Sequence, residues 1–310
     1  MDRREILRRI AAFPIVTRDL AEDLLSGDFR SVFRGEGIEF DEVRIYEPGD
    51  DVRSIDRNVS ARFGTPYVKM YREERELTVC IVLDVSPSMF TGVPKSRYEQ
   101  GVLAAALLAF SAEWAGQRVG AVLFDREIKA LFKPRKGRTH VMAIVSAALS
   151  AEPGGGGSGL GRALLGTGRL LKRRSLVVVI SDFLNVNWER ELGDLCRKND
   201  VIALRIWDPV DTAMPDLGLF YLRDNETGLE IPAPSGSFPF RSGWTRWHEE
   251  RGQLWKLICR RCGAAALELS TTEDPVPVLR RFFGRSRRNA GAYAGRSGGP
   301  SRRPLAGGRR

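Results

Sequence analysis

Val79-Cys-Ile-Val-Leu-Asp-Val-Ser-Pro-Ser88 is the stretch on which the fold turns. Its aliphatic run has no polar alternation, which predicts a strand buried on both faces, as in the middle of a parallel sheet. It ends on Asp84, Ser86 and Ser88, spaced two apart, so an extended or looping backbone can turn all three to one side. One carboxylate and two hydroxyls at the carboxyl end of such a strand suit a hard divalent cation, Mg2+ first, with Mn2+ or Ca2+ as alternatives. Ligands of open α/β sheets sit at that edge. Two other readings compete. Asp and Ser are ordinary turn formers. An aspartate used in phosphoryl transfer would need a second acid two residues on, and that position is Ser86.

Working outward, a second apolar run, Leu176-Val-Val-Val-Ile180, is followed by Ser181-Asp182, so Asp182 offers a carboxylate at the equivalent end of another strand. A helix N-cap is its alternative role. Between the two lies Pro153-Gly-Gly-Gly-Gly-Ser-Gly159, where glycines let backbone approach a small ion and Ser158 is the only hydroxyl. The loop lacks the Gly-Lys-Ser/Thr ending of a phosphate cradle. The cation site read from sequence is therefore Asp84, Ser86, Ser88, Ser158 and Asp182, with one coordination position left for an oxygen from outside. No nucleophile with a base beside it is visible, so the chain reads as a non-enzyme; a Mg-dependent phosphatase or hydrolase using Asp84 is the alternative.

The remaining pattern alternates strands and helices, which predicts an α/β fold with a mostly parallel sheet and helices on both faces. Residues 1–27 read as a helical segment and 28–76 as a small β-rich segment. Residues 77–283 form the main domain, and 284–310 an Arg/Gly-rich tail unable to bury a core. The formal charge of +10 belongs largely to that tail, which holds eight Arg and no acid. Nucleic acid is thus an unlikely partner for the folded part. The longest apolar stretch, Gly101 to Ala112, is too short to span a membrane, and the N-terminus lacks a signal peptide's apolar core. A cytoplasmic protein with reduced cysteines is expected. Cys259 and Cys262 form a lone Cys-x-x-Cys in a chain with two histidines, a poor zinc set. In Arg44 to Asp56, a Pro48-Gly49-Asp50-Asp51 turn is expected to gather Arg44, Arg53 and Asp56 into an ion-pair network with Asp50 and Asp51.

Several motifs occur in fixed order: Gly35-Glu-Gly-Ile-Glu-Phe40, Tyr46-x-Pro-Gly-Asp-Asp-Val-Arg-x-Ile-Asp56, Ser60-Ala-Arg62, Glu73-Glu-Arg75 and Leu83-Asp-Val-Ser-Pro-Ser-Met89. In these the chain resembles bacterial proteins of the domain of unknown function 58 family, although Arg57 stands where that family usually has Trp. The resemblance implies a von Willebrand factor A-like domain, a metal-ion-dependent adhesion site and a non-enzymatic, chaperone-like interaction role. It also implies partnership with a MoxR-type AAA+ ATPase acting on a client protein in assembly or maturation.

Overall fold

The computed structural model describes residues 18, 20–21, 38–48, 50–51, 54–73, 77–154, 159–223 and 228–294. The chain divides into two compact units, one formed by Ser31–Leu77 and the other by Met1–Arg30 with Thr78–Arg310.

In the smaller unit, strands β1 (Ile38–Ile45) and β2 (Tyr67–Glu73) pair antiparallel, with an irregularity between Phe40 and Glu42. Between them lies helix α1 (Arg57–Phe63). Asp56 starts that helix: its carboxylate accepts hydrogen bonds from the N–H groups of Asn58 and Val59, which have no partner within the first turn. Gly64, at φ 69°, ends it in the left-handed conformation that glycine adopts without strain. Of the expected ion-pair network, Arg44 and Asp50 are paired, 2.6 Å apart. That contact holds the Asp50 carboxyl below the usual carboxylate range. Asp56, also expected in the network, caps α1 through one carboxylate oxygen. Arg53 lies outside the described residues.

The larger unit is built on six strands: β3 (Thr78–Asp84), β4 (Arg118–Phe124), β5 (Ile128–Arg135), β6 (Leu176–Ser181), β7 (Asp200–Trp207) and β10 (Ala265–Ser270). Their order is β10-β7-β6-β3-β4-β5, parallel throughout except for β5, which runs antiparallel to β4. The stretch that opened the sequence reading is therefore a central strand, and Val79 to Leu83 are almost wholly buried. Its period of two divides the core. Cys80 and Val82 face one layer with Val122, Phe124, Val177 and Val179, packed by helices α4 (Leu160–Leu170), α5 (Glu189–Cys196) and α7 (Phe238–Cys262). On the opposite face Ile81, Leu83, Ala121 and Leu123 meet Val102 and Ala105 of α2 (Arg97–Trp114) and Ile144 and Ala148 of α3 (Arg138–Leu149). Helix α2 is buried on nearly every side, which accounts for its uninterrupted apolar run. A capping box fixes its start: Ser96 accepts from the Glu99 N–H while the Glu99 carboxylate accepts from the Ser96 N–H.

The short α6 (Pro209–Thr212) and the separate hairpin of β8 (Leu219–Arg223) and β9 (Glu230–Pro234) follow β7. Helix α8 (Pro275–Ala294) follows β10. Helix α3 is entered from Gly137 at φ 104°, with no side-chain cap. Helix α7 begins at Phe238, and Pro239 falls in its first turn, where its missing N–H costs no hydrogen bond. The main domain was expected to end at residue 283, and helix α8 continues to Ala294, since Arg and Ala residues favour helix and no proline intervenes. Of the segment read as helical over 1–27, only Arg18, Leu20 and Ala21 lie among the described residues.

Candidate metal centre

Parallel pairing with β6 carries Asp84 and Ser181 side by side, because Leu83 is in register with Ile180. The Ser181 hydroxyl donates to Asp84 Oδ2 at 2.7 Å, and the Ser86 N–H donates to Asp84 Oδ1 at 2.9 Å. Past Asp84 the chain enters a single 3-10 turn, Pro87–Phe90, which brings Ser88 back toward Ser86, their hydroxyl oxygens 3.2 Å apart. Asp84, Ser86 and Ser181 are fully buried and Ser88 is half-buried.

Asp182 follows β6 and caps no helix, since α5 begins only at Glu189. Its Oδ1 accepts from the Leu184 N–H at 3.0 Å. Its Oδ2 is buried without a hydrogen-bond partner. Phe183 behind it sits at φ 53°, where a bulky side chain is strained, and is held there by Trp188 and Trp255, with ring centroids 5.4 and 5.6 Å away. The Phe183 N–H donates to Ser181 Oγ at 3.0 Å, and Arg251 of α7 donates to the Leu184 carbonyl. Sequence patterning had no means of showing this aromatic clamp, because Trp255 comes from the distant helix α7.

Burial, and after it the neighbouring Asp182 charge, pushes the Asp84 carboxyl up to about 7. Two acids thus meet at one dry edge, one of them with a buried oxygen unspent. A hard cation would relieve both costs, so the donor set fits a divalent ion. Of the residues picked out from the sequence, Asp84, Ser86 and Ser88 lie together and Asp84 feels the charge of Asp182; Ser158 lies outside the described residues. Among the described residues no group of three or more His, Cys, Asp or Glu is gathered as a metal cluster, so hydroxyl oxygens have to complete the set.

The two described ends of the glycine-rich loop lie against the turn after β4. A Cβ on Gly154 would come within 1.9 Å of Asp125 Oδ2, and one on Gly159 within 2.3 Å of the Arg126 carbonyl oxygen. The Gly159 N–H donates to the Asp125 carbonyl at 2.5 Å. Asp125 is a buried acid beside the next strand end. Its Oδ2 lies 2.8 Å from Lys129 Nζ, so it is already neutralised.

The family model "Protein of unknown function DUF58" matches residues 42–252, more than half of the chain. The chain belongs to this family. A DUF58 relative, an uncharacterized protein of Mycobacterium tuberculosis (strain ATCC 25618 / H37Rv), is 32% identical over 300 residues, covering 95% of this chain and 93% of the relative. An uncharacterized protein of Mycobacterium avium is 37% identical over 127 residues, 40% of this chain and 73% of that one. Among solved structures, the DUF58 chain is similar to the conserved hypothetical protein BatB from Bacteroides thetaiotaomicron, with a TM-score of 0.47 and 17% identity over 68% of this chain and 99% of that one. It is also similar to the SpRpn10 VWA domain, with a TM-score of 0.37 and 11% identity over 66% and 93%. The mostly parallel sheet with helices on both faces is the α/β architecture expected from the sequence. Among the described residues no helix is long and apolar enough to cross a membrane.

Proposed function

We propose that this DUF58 protein is a non-enzymatic docking module whose contact with a partner is bridged by a divalent cation, Mg2+ first. Asp84, Ser86, Ser88 and Asp182 would hold the ion, with Ser158 as a further donor. The bound ion would supply a positive centre for a carboxylate from the partner. The observation that carries this reading is the buried, unpartnered Asp182 Oδ2 beside a second buried acid. Family membership supports the rest of the proposal, action with a MoxR-type AAA+ ATPase on a client protein during assembly or maturation.

The chemistry of the neighbourhood favours docking over hydrolysis. The acid that phosphoryl transfer would require two residues after Asp84 is Ser86, and neither histidine hydrogen-bonds to Asp84 or Asp182. His140 Nε2 lies 3.0 Å from the Val119 carbonyl oxygen at the opposite end of β4, and His248 is enclosed by Trp244 and Trp247.

Thermal unfolding with and without MgCl2 tests the cation, and capture of the ATPase in EDTA tests the bridge. Wild type should gain about 1.4 kcal/mol of stability at ten times the dissociation constant. Asp84→Asn should lose that gain and the capture together. Capture indifferent to both EDTA and Asp84→Asn sinks the bridged contact, and Mg-dependent turnover of a phosphoester abolished by Asp84→Asn would replace it with an enzyme.

A further inference from the structure

The amino ends of three parallel strands gather positive charge. Strands β6, β7 and β10 lie side by side, so the segments that lead into them from α4, α5 and α7 meet at one end of the sheet. The Asp200 N–H donates to the Ser175 carbonyl at 3.0 Å and the Ser175 N–H to Asn199 Oδ1 at 3.1 Å, tying the first two segments together. Cys262, the last residue of α7, donates through Sγ to the Glu189 carbonyl of α5 at 3.4 Å. The carboxyl ends of α4, α5 and α7 therefore form one corner.

Two acids of this corner are already taken up, Asp200 by Arg174 and Asp194 by Arg197. Arg169, Lys172, Arg173, Lys198, Arg260 and Arg261 are exposed, and among the described residues no acid pairs with them. Glu189 is a further acid nearby, and each helix end contributes about −0.5 charge, so part of the positive charge is offset and a basic surface remains. Apolar side chains adjoin it. Leu257 precedes Arg260 and Arg261 by three and four residues, and Leu254 precedes Arg261 by seven, so they share a face of α7. Both leucines are on the surface, at 48% and 55% exposure.

We propose that this corner docks on an anionic phospholipid bilayer, its cations among the headgroups and Leu254 and Leu257 at the boundary of the acyl chains. Charge complementarity calls for an anionic partner, and the leucines choose among anions. A nucleic-acid backbone would engage the cations and leave both leucines in water, whereas the headgroup region accommodates each kind of side chain at its own depth. A bilayer also demands no matched shape from a corner built of three separate helix ends. The attachment is salt-sensitive, because each cation near such a surface is worth roughly fivefold in binding. It is separate from the cation site, since Asp84 and Asp182 lie at the carboxyl ends of the strands.

Sedimentation of the full chain with vesicles tests this, in EDTA so that no divalent ion bridges protein and lipid. Phosphatidylcholine vesicles with about one-third phosphatidylserine should bind the protein and release it as salt rises, and phosphatidylcholine alone should not bind it. Failure to bind the anionic vesicles overturns the proposal. Residues 284–310 hold eight Arg of their own, so two full-length variants assign the binding. Replacing Lys172, Arg173, Arg260 and Arg261 by Gln should weaken it at least about thirtyfold. Replacing Arg296, Arg302, Arg303, Arg309 and Arg310 by Gln should weaken it less, and the reverse order moves the contact to the tail and overturns the proposal. Leu257→Gln should weaken vesicle binding about threefold. Unchanged binding removes the apolar contact on which the choice of a bilayer rests, and poly(U) that displaces the vesicles through the same four cations makes the partner a nucleic acid. Lys172, Arg173, Leu257, Arg260 and Arg261 are exposed, so their variants should melt with wild type, which separates lost binding from lost fold.

Discussion

Asp182 and Asp208 follow neighbouring strands of one sheet, and each is almost wholly buried, at 2% and 1% exposure. Asp208 is fully spent. It accepts from the Val210 N–H at 3.0 Å, the Val93 N–H at 2.9 Å and the Thr271 hydroxyl at 2.7 Å, tying together three loops. Asp182 accepts one N–H and keeps its other oxygen buried without a partner. An aspartate at the carboxyl end of a strand is therefore not in itself a site; an oxygen left unspent in a dry place is what points to a ligand.

The largest effect is expected where the carboxylate is spent. Asp208→Ala leaves two backbone N–H groups and a hydroxyl without their acceptor and should cost about 3 kcal/mol or more in urea unfolding. The response to Mg2+ should survive in the protein that remains folded; losing it there would erase the distinction between the two aspartates. Asp182→Asn should do the reverse. Metal-free stability should hold or rise as repulsion with Asp84 is relieved, while the Mg2+ concentration needed for half of the thermal shift rises at least tenfold, about 1.4 kcal/mol.

Acid separates the regions further. His248 is buried, with Asp211, Arg97, Arg205 and Arg251 as its charged neighbours, and burial is the main cause that brings its pKa down to about 4. The unfolded chain takes up this proton at a higher pH than the folded one. The contribution is therefore intact above about 6.5 and is lost as pH falls toward about 4. Melting in EDTA across that window should show a loss on the order of 1 kcal/mol, allowing for screening, that His248→Gln removes. An acid limb unchanged in His248→Gln assigns it to other groups. The smallest effect belongs to half-buried Ser88, where Ser88→Ala should weaken Mg2+ about threefold and move metal-free stability by no more than about 0.5 kcal/mol.

Much of this arrangement was legible beforehand. Asp84, Ser86, Ser88 and Asp182 were picked out because unbroken aliphatic runs mark central strands, and parallel strands put their carboxyl ends along one edge. The same signal stands at Ile206-Trp207-Asp208 and would have picked out Asp208 equally, since nothing local tells a spent carboxylate from an unspent one. The capping role of Asp56 escaped because it depends on which orphan N–H groups a particular turn leaves.

Sequence alone determined the α/β class, the central place of Val79 to Asp84 and the oxygen-rich strand ends. Each of these follows from residue type and short-range periodicity, which the backbone converts directly into facing and burial. Only the tertiary structure decided that Asp182 keeps a free oxygen while Asp208 does not, that Lys129 neutralises Asp125, and that the segments leading into β6, β7 and β10 gather into one basic corner. Those outcomes depend on partners brought in from distant segments and on strand register, neither of which a linear pattern encodes.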